Sequence, residues 1–339
     1  MIKPENLLIV RTDRIGDVVL TLPLAGIIKK HLPGCKITFL VRDYTKSLVE
    51  NHPFIDKVLI LKEENGKPLI SNNLKMISEN RFDSCIVVHP TFITSFIIFL
   101  SRISQRIGTG YRWYSFFFNS KVYQHRKYAE KHELEFNAQL LEKLGIKEKI
   151  NRDNVEFELK INEECNKKIE NILTAENLDL KKKTIIIHPG SGGSAMDLPV
   201  AKFKDIVRQL DERNKFNIFI TGSSSERELC ESIKTSEKIR NFSGRFNLGE
   251  LTAFINKSDI FISNSTGPLH IAAALGKNVI GFYPKIKACL PDRWGPYSNK
   301  SVVFMPEIGC FDCSREQCNK LDCMNSIDVN KVISAIENI

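Results

Sequence analysis

Between Asp259 and Phe282 an apolar strand, a polar turn, a short helix and a second apolar strand follow one another directly. The pieces are Asp259–Ile262, then Asn264, Ser265 and Thr266, then Leu269–Leu275, Gly276 and Val279–Phe282. A strand-helix-strand unit this short leaves the chain little freedom. Its two strands run parallel in one sheet, with the helix laid across the face between them. Asn264, Ser265 and Thr266 are residue types that offer side-chain oxygens to the free N–H groups of a helix start, Pro268 fits the first turn, and Gly276 suits the stop. A hydroxyl-rich helix start beside a glycine is also a ready anion site. On the turn alone, capping and anion binding both stay open.

The same alternation runs through the rest of the chain. Leu7–Val10 is a wholly apolar run suited to an inner parallel strand, and it leads through Arg11-Thr-Asp-Arg-Ile-Gly-Asp17 into helical spacing from Val18 to His31. Strands follow at Lys36–Val41, Lys57–Ile60, Ser84–Val88 and Gln105–Gly108, with helices near Leu74–Glu79, Phe92–Ile103 and His132–Leu144. Lys147–Lys160 is a charged connection, after which the pattern restarts. The second series has a helix from Asn162, strands at Thr184–His188, Asn217–Thr221 and Ile239–Phe242, and helices at Ala201–Arg213, Ser225–Ile233 and Leu248–Asn256. An α/β fold is therefore expected, with two domains of parallel sheet, residues 1–160 and 161–339, facing each other across a cleft that holds the ligands.

With 42% hydrophobic and 26% charged residues the composition describes a soluble globular protein, and no secretory signal precedes the first strand, so residence in the cytoplasm is expected. The apolar run Phe92–Leu100 is far short of the roughly 20 residues of a membrane span and reads as a buried helix. A formal net charge of +9 points to an acidic partner. Arg102, Arg106, Arg112, Lys121, Arg126, Lys127 and Lys131 crowd a region that also holds Trp113, Tyr114, Phe116, Phe117 and Phe118. That mixture suits a lipid headgroup layer or a phosphorylated glycolipid, while an aromatic core ringed by solvated charges accounts for it as well. No nucleic-acid module is visible, and nucleic acid is not an expected partner.

Three polar turns in the second half each follow a strand. His188-Pro-Gly190-Ser191-Gly192-Gly193-Ser194 can wrap N–H and hydroxyl donors around a phosphate, though it is neither a Walker loop nor Gly-x-Gly-x-x-Gly. Thr221-Gly-Ser-Ser-Ser-Glu226 has the same setting, with Glu226 suited either to ribose hydroxyls or to charging the helix start. Together with Ser265-Thr266-Gly267 they favour a nucleotide diphosphate. In the first half, Gly16 permits close backbone approach. Asp17 is either the N-cap of the following helix or a carboxylate that takes a proton in a cleft. Cys310-x2-Cys313-x4-Cys318-x4-Cys323 has spacing that fits tetrahedral zinc or iron, with reduced thiols packing the tail and disulfides as the other readings.

These residues carry a resemblance. Leu7-Leu-Ile-Val-Arg with Ile15-Gly-Asp-Val-Val-Leu-Thr-Leu-Pro23, His188–Ser194, Asn241-Phe-Ser-Gly244 with Leu248-Gly-Glu-Leu251, and Ser263–Lys277 resemble, in order, the motifs of glycosyltransferase family 9, the ADP-heptose:lipopolysaccharide heptosyltransferases. The resemblance implies a GT-B architecture of two Rossmann-like domains and inverting transfer that requires no metal or other cofactor. ADP-heptose would be the donor and the lipopolysaccharide inner core the acceptor, reached by peripheral contact at the cytoplasmic face of the inner membrane. It implies Asp17 as general base, with Arg11, Arg14, Gly16 and Arg112 on the acceptor side. The donor side would be Gly190, Ser191, Gly192, Gly193, Ser194, Thr221, Glu226, Leu248, Ser265, Thr266, Gly267 and His270. Two departures stand out: Met196 where many relatives carry a lysine that neutralises the diphosphate, and Ser265 where some have an aspartate. The first shifts that task toward Arg11, Arg14 or Lys202.

Overall fold

The computed structural model describes residues 3–176, 178–193, 196–309 and 314–339. The chain divides into two compact units, residues 1–126 with 133–160 and residues 127–132 with 161–339. The main division falls between Lys160 and Ile161, and the short segment 127–132 is a second crossing of the chain that the sequence pattern does not announce. Its anchor is His132, which stacks on Tyr297 with ring centroids 4.5 Å apart and lies 2.9 Å, through Nε2, from the carbonyl oxygen of Gly295.

The first unit is built on β1 (Asn6–Val10), β2 (Lys36–Val41), β3 (Lys57–Ile60), β6 (Ser84–Val87), β7 (Gln105–Thr109) and β8 (Ser120–Val122), with a small hairpin of β4 (Glu63–Glu64) and β5 (Lys67–Pro68) after β3. The sheet order is β3-β2-β1-β6-β7-β8 and every pairing within it is parallel. Leu7, Leu8, Ile9 and Val10 are all buried, as a central strand covered on both faces requires. The helices are α1 (Ile15–Val19), α2 (Pro23–His31), α3 (Ile70–Glu79), α4 (Phe92–Leu100) and α5 (Glu133–Gln139). The single helix expected from Val18 to His31 is broken, because Pro23 has no N–H to donate and its ring crowds the preceding turn; α2 restarts on it. The strand β8 emerges inside the aromatic and basic region, where too few residues alternate to mark it. Phe92–Leu100 does form a helix, but Phe92, Phe99 and Leu100 are exposed, so the expectation of a buried helix is corrected to a helix buried on one face.

The second unit repeats the plan. Its strands are β9 (Lys183–His188), β10 (Phe216–Ile220), β11 (Arg240–Asn241), β12 (Ile260–Asn264), β13 (Asn278–Phe282) and β14 (Ser301–Phe304), in the order β11-β10-β9-β12-β13-β14 and again wholly parallel. Around them lie α6 (Glu163–Ala175), α7 (Val200–Arg213), α8 (Arg227–Ser232), α9 (Leu248–Asn256), α10 (Gly267–Ala274), α11 (Pro291–Trp294), α12 (Arg315–Leu321) and α13 (Val329–Glu337). Asn162 caps α6 by accepting from the N–H groups of Glu164 and Cys165, and Asn247 caps α9 in a reciprocal capping box with Glu250. The final helix α13 returns to pack on α7, placing Val332, Ile333 and Ile336 in one core with Phe203, Ile206 and Leu210. Among the described residues no helix is long and apolar enough to cross a membrane.

Counted within its own unit, each sheet has the strand order 3-2-1-4-5-6 of a doubly wound dinucleotide-binding fold. In that order the connections diverge between strands 1 and 4, and the carboxyl ends of those two strands border a crevice. The switch points lie between β1 and β6 in the first unit and between β9 and β12 in the second. The core that carries the second of these crevices offers a direct test. Phe203, buried and edge-on to Phe282 at 5.5 Å, joins α7 to the sheet, so Phe203→Ala is expected to cost about 3–5 kcal/mol in urea unfolding of the second unit. A loss below about 1 kcal/mol would contradict the packing described.

Candidate active site

At the first switch point, β1 ends in Arg11, a guanidinium only 1% exposed. Burying that cation requires partners. Arg11 donates from Nε to Asp13 at 2.7 Å, from a terminal nitrogen to Asp17 through a short contact, and from the other to Asn137 at 3.4 Å, and Glu133 lies 3.8 Å away. Glu133 is itself buried and pairs with Arg126. Arg11 and Arg126 bring two positive charges, and Asp13, Asp17 and Glu133 bring three negative ones, so the cluster carries one surplus negative charge when all are ionised. Burial raises the Asp17 carboxyl to about 6; Arg11 opposes the rise, and Asp13 and Glu133 add to it. Asp17 therefore exchanges its proton close to neutral pH, and its hydrogen bond with Arg11 engages only Oδ1.

This geometry corrects two expectations. Asp17 does not cap α1: the N-cap is Arg14, and Asp17 is the third helical residue. Arg11 is not an acceptor ligand, since its donors are committed inside the unit, where it positions Asp17. Arg14 and Arg112 are exposed, Gly16 is buried within α1, and Arg112 sits on the loop after β7, close enough to influence the charge of His89. The sequence pattern missed Asp13, His89, Asn137 and Glu133. His89 follows β6 and approaches Asp13 at 3.5 Å, which joins the two loops of the switch point. One signal was present: Val88-His89-Pro90 repeats, in the first half, the apolar strand followed by His-Pro at Ile187-His188-Pro189. No sequence spacing could relate Glu133 or Asn137 to Arg11.

At the second switch point, β9 runs into Pro189-Gly190-Ser191-Gly192-Gly193, with Gly192 and Gly193 in the left-handed region at φ 57° and 74°. Glu226 lies against Gly190, where a Cβ would come 1.9 Å from Oε1 and displace the carboxylate. Of the two roles the sequence leaves for Glu226, the structure shows contacts at the helix start. Its Oε2 accepts from the N–H and the hydroxyl of Ser223, each at 2.8 Å, and its carboxylate also accepts from the backbone of Gly192, so it braces one turn against the other. His188 Nδ1 lies 3.0 Å from the Thr221 hydroxyl, and burial lowers the His188 pKa to about 4. Neutral at physiological pH, the ring locks the ends of β9 and β10 together.

On the other side of the crevice, Asn264 ends β12 rather than capping α10. Its amide donates to the Pro189 carbonyl at 2.5 Å and its Oδ1 accepts from Leu198 N–H at 2.8 Å, which fastens the two crevice loops. Thr266 is the N-cap residue of α10 by position, yet no side-chain bond caps the helix, so of the two readings left open for this turn the capping one is not met by that hydroxyl. Gly267 begins the helix, and Ser265 bonds Tyr283. His270, one turn along, is buried and held neutral, with burial lowering its pKa to about 3; its Nδ1 has no hydrogen-bond partner among the described residues. The structure therefore gathers Gly190, Ser191, Gly192, Thr221, Thr266 and Gly267 around one crevice, and the helix start and an unpartnered imidazole there suit an anionic ligand. Leu248 opens α9, a separate helix. Ser194 lies outside the described residues, as do Cys310 and Cys313; Cys318 and Cys323 are buried in the tail.

Two Rossmann-ordered units, one with a carboxylate at its switch point and the other with a glycine-rich turn, have the architecture of the GT-B glycosyltransferase class. Residues 72–323 match the model for glycosyltransferase family 9 (heptosyltransferase), and the chain belongs to that family. A Haemophilus influenzae protein whose name goes no further than glycosyltransferase is 30% identical over 90% of this chain and 90% of its own length. The lipopolysaccharide core heptosyltransferase OpsX of the same organism is 26% identical over 88% of this chain and 84% of its own. Among solved structures, a family 9 glycosyl transferase from Veillonella parvula matches with a TM-score of 0.84 over 98% of this chain and 96% of that one at 21% identity, a likeness of fold.

If the surplus negative charge raises Asp17, removing one carboxylate lowers it. In a carbon-detected NMR titration the Asp17 carboxyl is expected to titrate near pH 6, and Glu133→Gln to move its midpoint to lower pH. An unmoved midpoint would show that Glu133 does not act on Asp17.

Proposed function

We propose that this chain transfers a heptose from ADP-heptose to a hydroxyl of the lipopolysaccharide inner core, in a single inverting displacement that needs no metal ion. The observation that carries the reading is Asp17, a carboxylate held at the mouth of the first crevice, bonded to Arg11, with its pKa raised to about 6 by burial against the opposing guanidinium. The donor and acceptor are supported by family membership and by relatives named for lipopolysaccharide core heptosyl transfer.

In the proposed step the acceptor O–H proton passes to Asp17 as that oxygen forms its bond to the anomeric carbon. The bond from the anomeric carbon to the β-phosphate oxygen breaks, and ADP leaves with the electron pair. Negative charge grows on the leaving diphosphate. The first N–H groups of α10 and the neutral His270 ring are donors suited to receive it. Arg11 keeps Asp17 oriented between turnovers and never leaves its buried position. A same-fold transferase with another nucleotide-sugar is the second reading; it is favoured by Ser265, whose hydroxyl is engaged by Tyr283 instead of standing open to a sugar.

Asp17→Asn is expected to lower the transfer rate roughly 10²- to 10⁴-fold while leaving the thermal shift produced by ADP intact. The wild-type kcat/KM is expected to fall about tenfold per pH unit below about 6, where Asp17 holds a proton, and to be unaffected by EDTA. Undiminished turnover in Asp17→Asn would remove the proposed base, and a larger thermal shift with UDP or GDP than with ADP would transfer the reading to the other donors.

A further inference from the structure

The first unit carries an aromatic surface that the transfer chemistry does not use. Trp113 is 75% exposed and Phe116 61%, and Phe92, Phe99 and Leu100 of α4 are exposed beside them. The rings are contiguous: Trp113 stacks on Phe92 at 5.1 Å, and Phe117 joins Phe92, Phe99 and Phe116 at 5.8, 5.2 and 4.4 Å. Exposed apolar surface of this extent marks a docking face in a water-facing protein. No Asp or Glu occurs between Asp83 and Glu130, while Arg102, Arg106, Arg112 and Lys121 do; Arg126, also in this stretch, is paired with Glu133. The Arg106 guanidinium lies over the Phe99 ring at 5.6 Å.

We infer that this face docks on the headgroup layer of an anionic lipid surface. Tryptophan and phenylalanine rings enter the boundary between headgroups and acyl chains, and the surrounding cations meet lipid phosphates. A second copy of this chain fits the face less well, because a two-fold contact would bring the cations of this carboxylate-free stretch of sequence against themselves. The position also has a use. Tyr114, next to Trp113, donates to the Pro90 carbonyl at 2.8 Å, and Pro90 follows His89, which approaches Asp13 beside Asp17. The aromatic loop after β7 thus adjoins the loops of the first switch point, so a lipid-borne acceptor would be presented beside its base. That use rests on the acceptor proposed above; the docking itself does not.

Vesicle co-sedimentation without donor or acceptor tests the surface alone. The full chain is expected to bind mixed phosphatidylglycerol–phosphatidylcholine vesicles, to bind pure phosphatidylcholine weakly, and to be released by salt. Trp113→Ser with Phe116→Ser is expected to weaken the binding roughly tenfold or more while the thermal shift with ADP is kept, which shows an intact fold. Arg102→Gln with Lys121→Gln should weaken binding to the anionic vesicles alone. Three results would each overturn the inference: no binding of the wild type to anionic vesicles, equal binding by the aromatic variant, or a wild-type dimer in light scattering that the aromatic variant converts to monomer. If docking fails while ADP still shifts the melting temperature and Asp17 is still required, the transferase reading stands without it.

Discussion

Parallel strands need crossovers, and a series of right-handed crossovers that reverses direction leaves one place in each sheet where neighbouring loops part. Both sheets of this chain have that place, between β1 and β6 and between β9 and β12. The chemistry-bearing residues gather there: Arg11, Asp13, Asp17 and His89 at one, the Gly190–Gly193 turn, Thr266 and Gly267 at the other. Strand order, set by hydrophobic burial on both sheet faces, therefore precedes and locates everything polar.

What occupies each crevice follows from the cost of burying charge. In the first, burial raises the proton affinity of Asp17, the one fully buried guanidinium beside it opposes the rise, and Asp13 and Glu133 add to it. In the second, His188 and His270 are buried and neutral, and the carboxylates present are engaged, Glu226 by Ser223 and Gly192 and Asp197 by Ser191. The start of α10 and the neutral His270 ring there suit an anion. The two units are alike in fold and differ in the polar groups at their switch points.

The aromatic face of α4 and the loop after β7 shows where pattern reading meets its limit. The apolar run Phe92–Leu100 reads as core because hydrophobicity alone reports a tendency to leave water, not which neighbour supplies the cover. In the fold one side of α4 is buried, while Phe92, Phe99 and Leu100 on the other stay exposed beside Trp113 and Phe117.

Much of the architecture was legible in the chain itself. The strands Lys36–Val41 and Lys57–Ile60, the helix Leu248–Asn256 and the split after Lys160 follow from local period and composition, as do the glycines of the Gly190–Gly193 turn, because each depends on residues adjacent in sequence. The fate of polar side chains was not legible. Arg11 and Glu226 look like ligand residues in a linear reading, yet one is enclosed by Asp13, Glu133 and Asn137 and the other braces two turns. Asn264 looks like a cap and is a cross-link between loops. The sequence by itself determined two doubly wound sheets and the residue types at their carboxyl edges, since burial patterns are local. Only the tertiary structure decided which of those groups remain free to meet a substrate, since a side chain's partners are set by elements far apart in the chain, as Glu133 on α5 is from Arg11 at the end of β1.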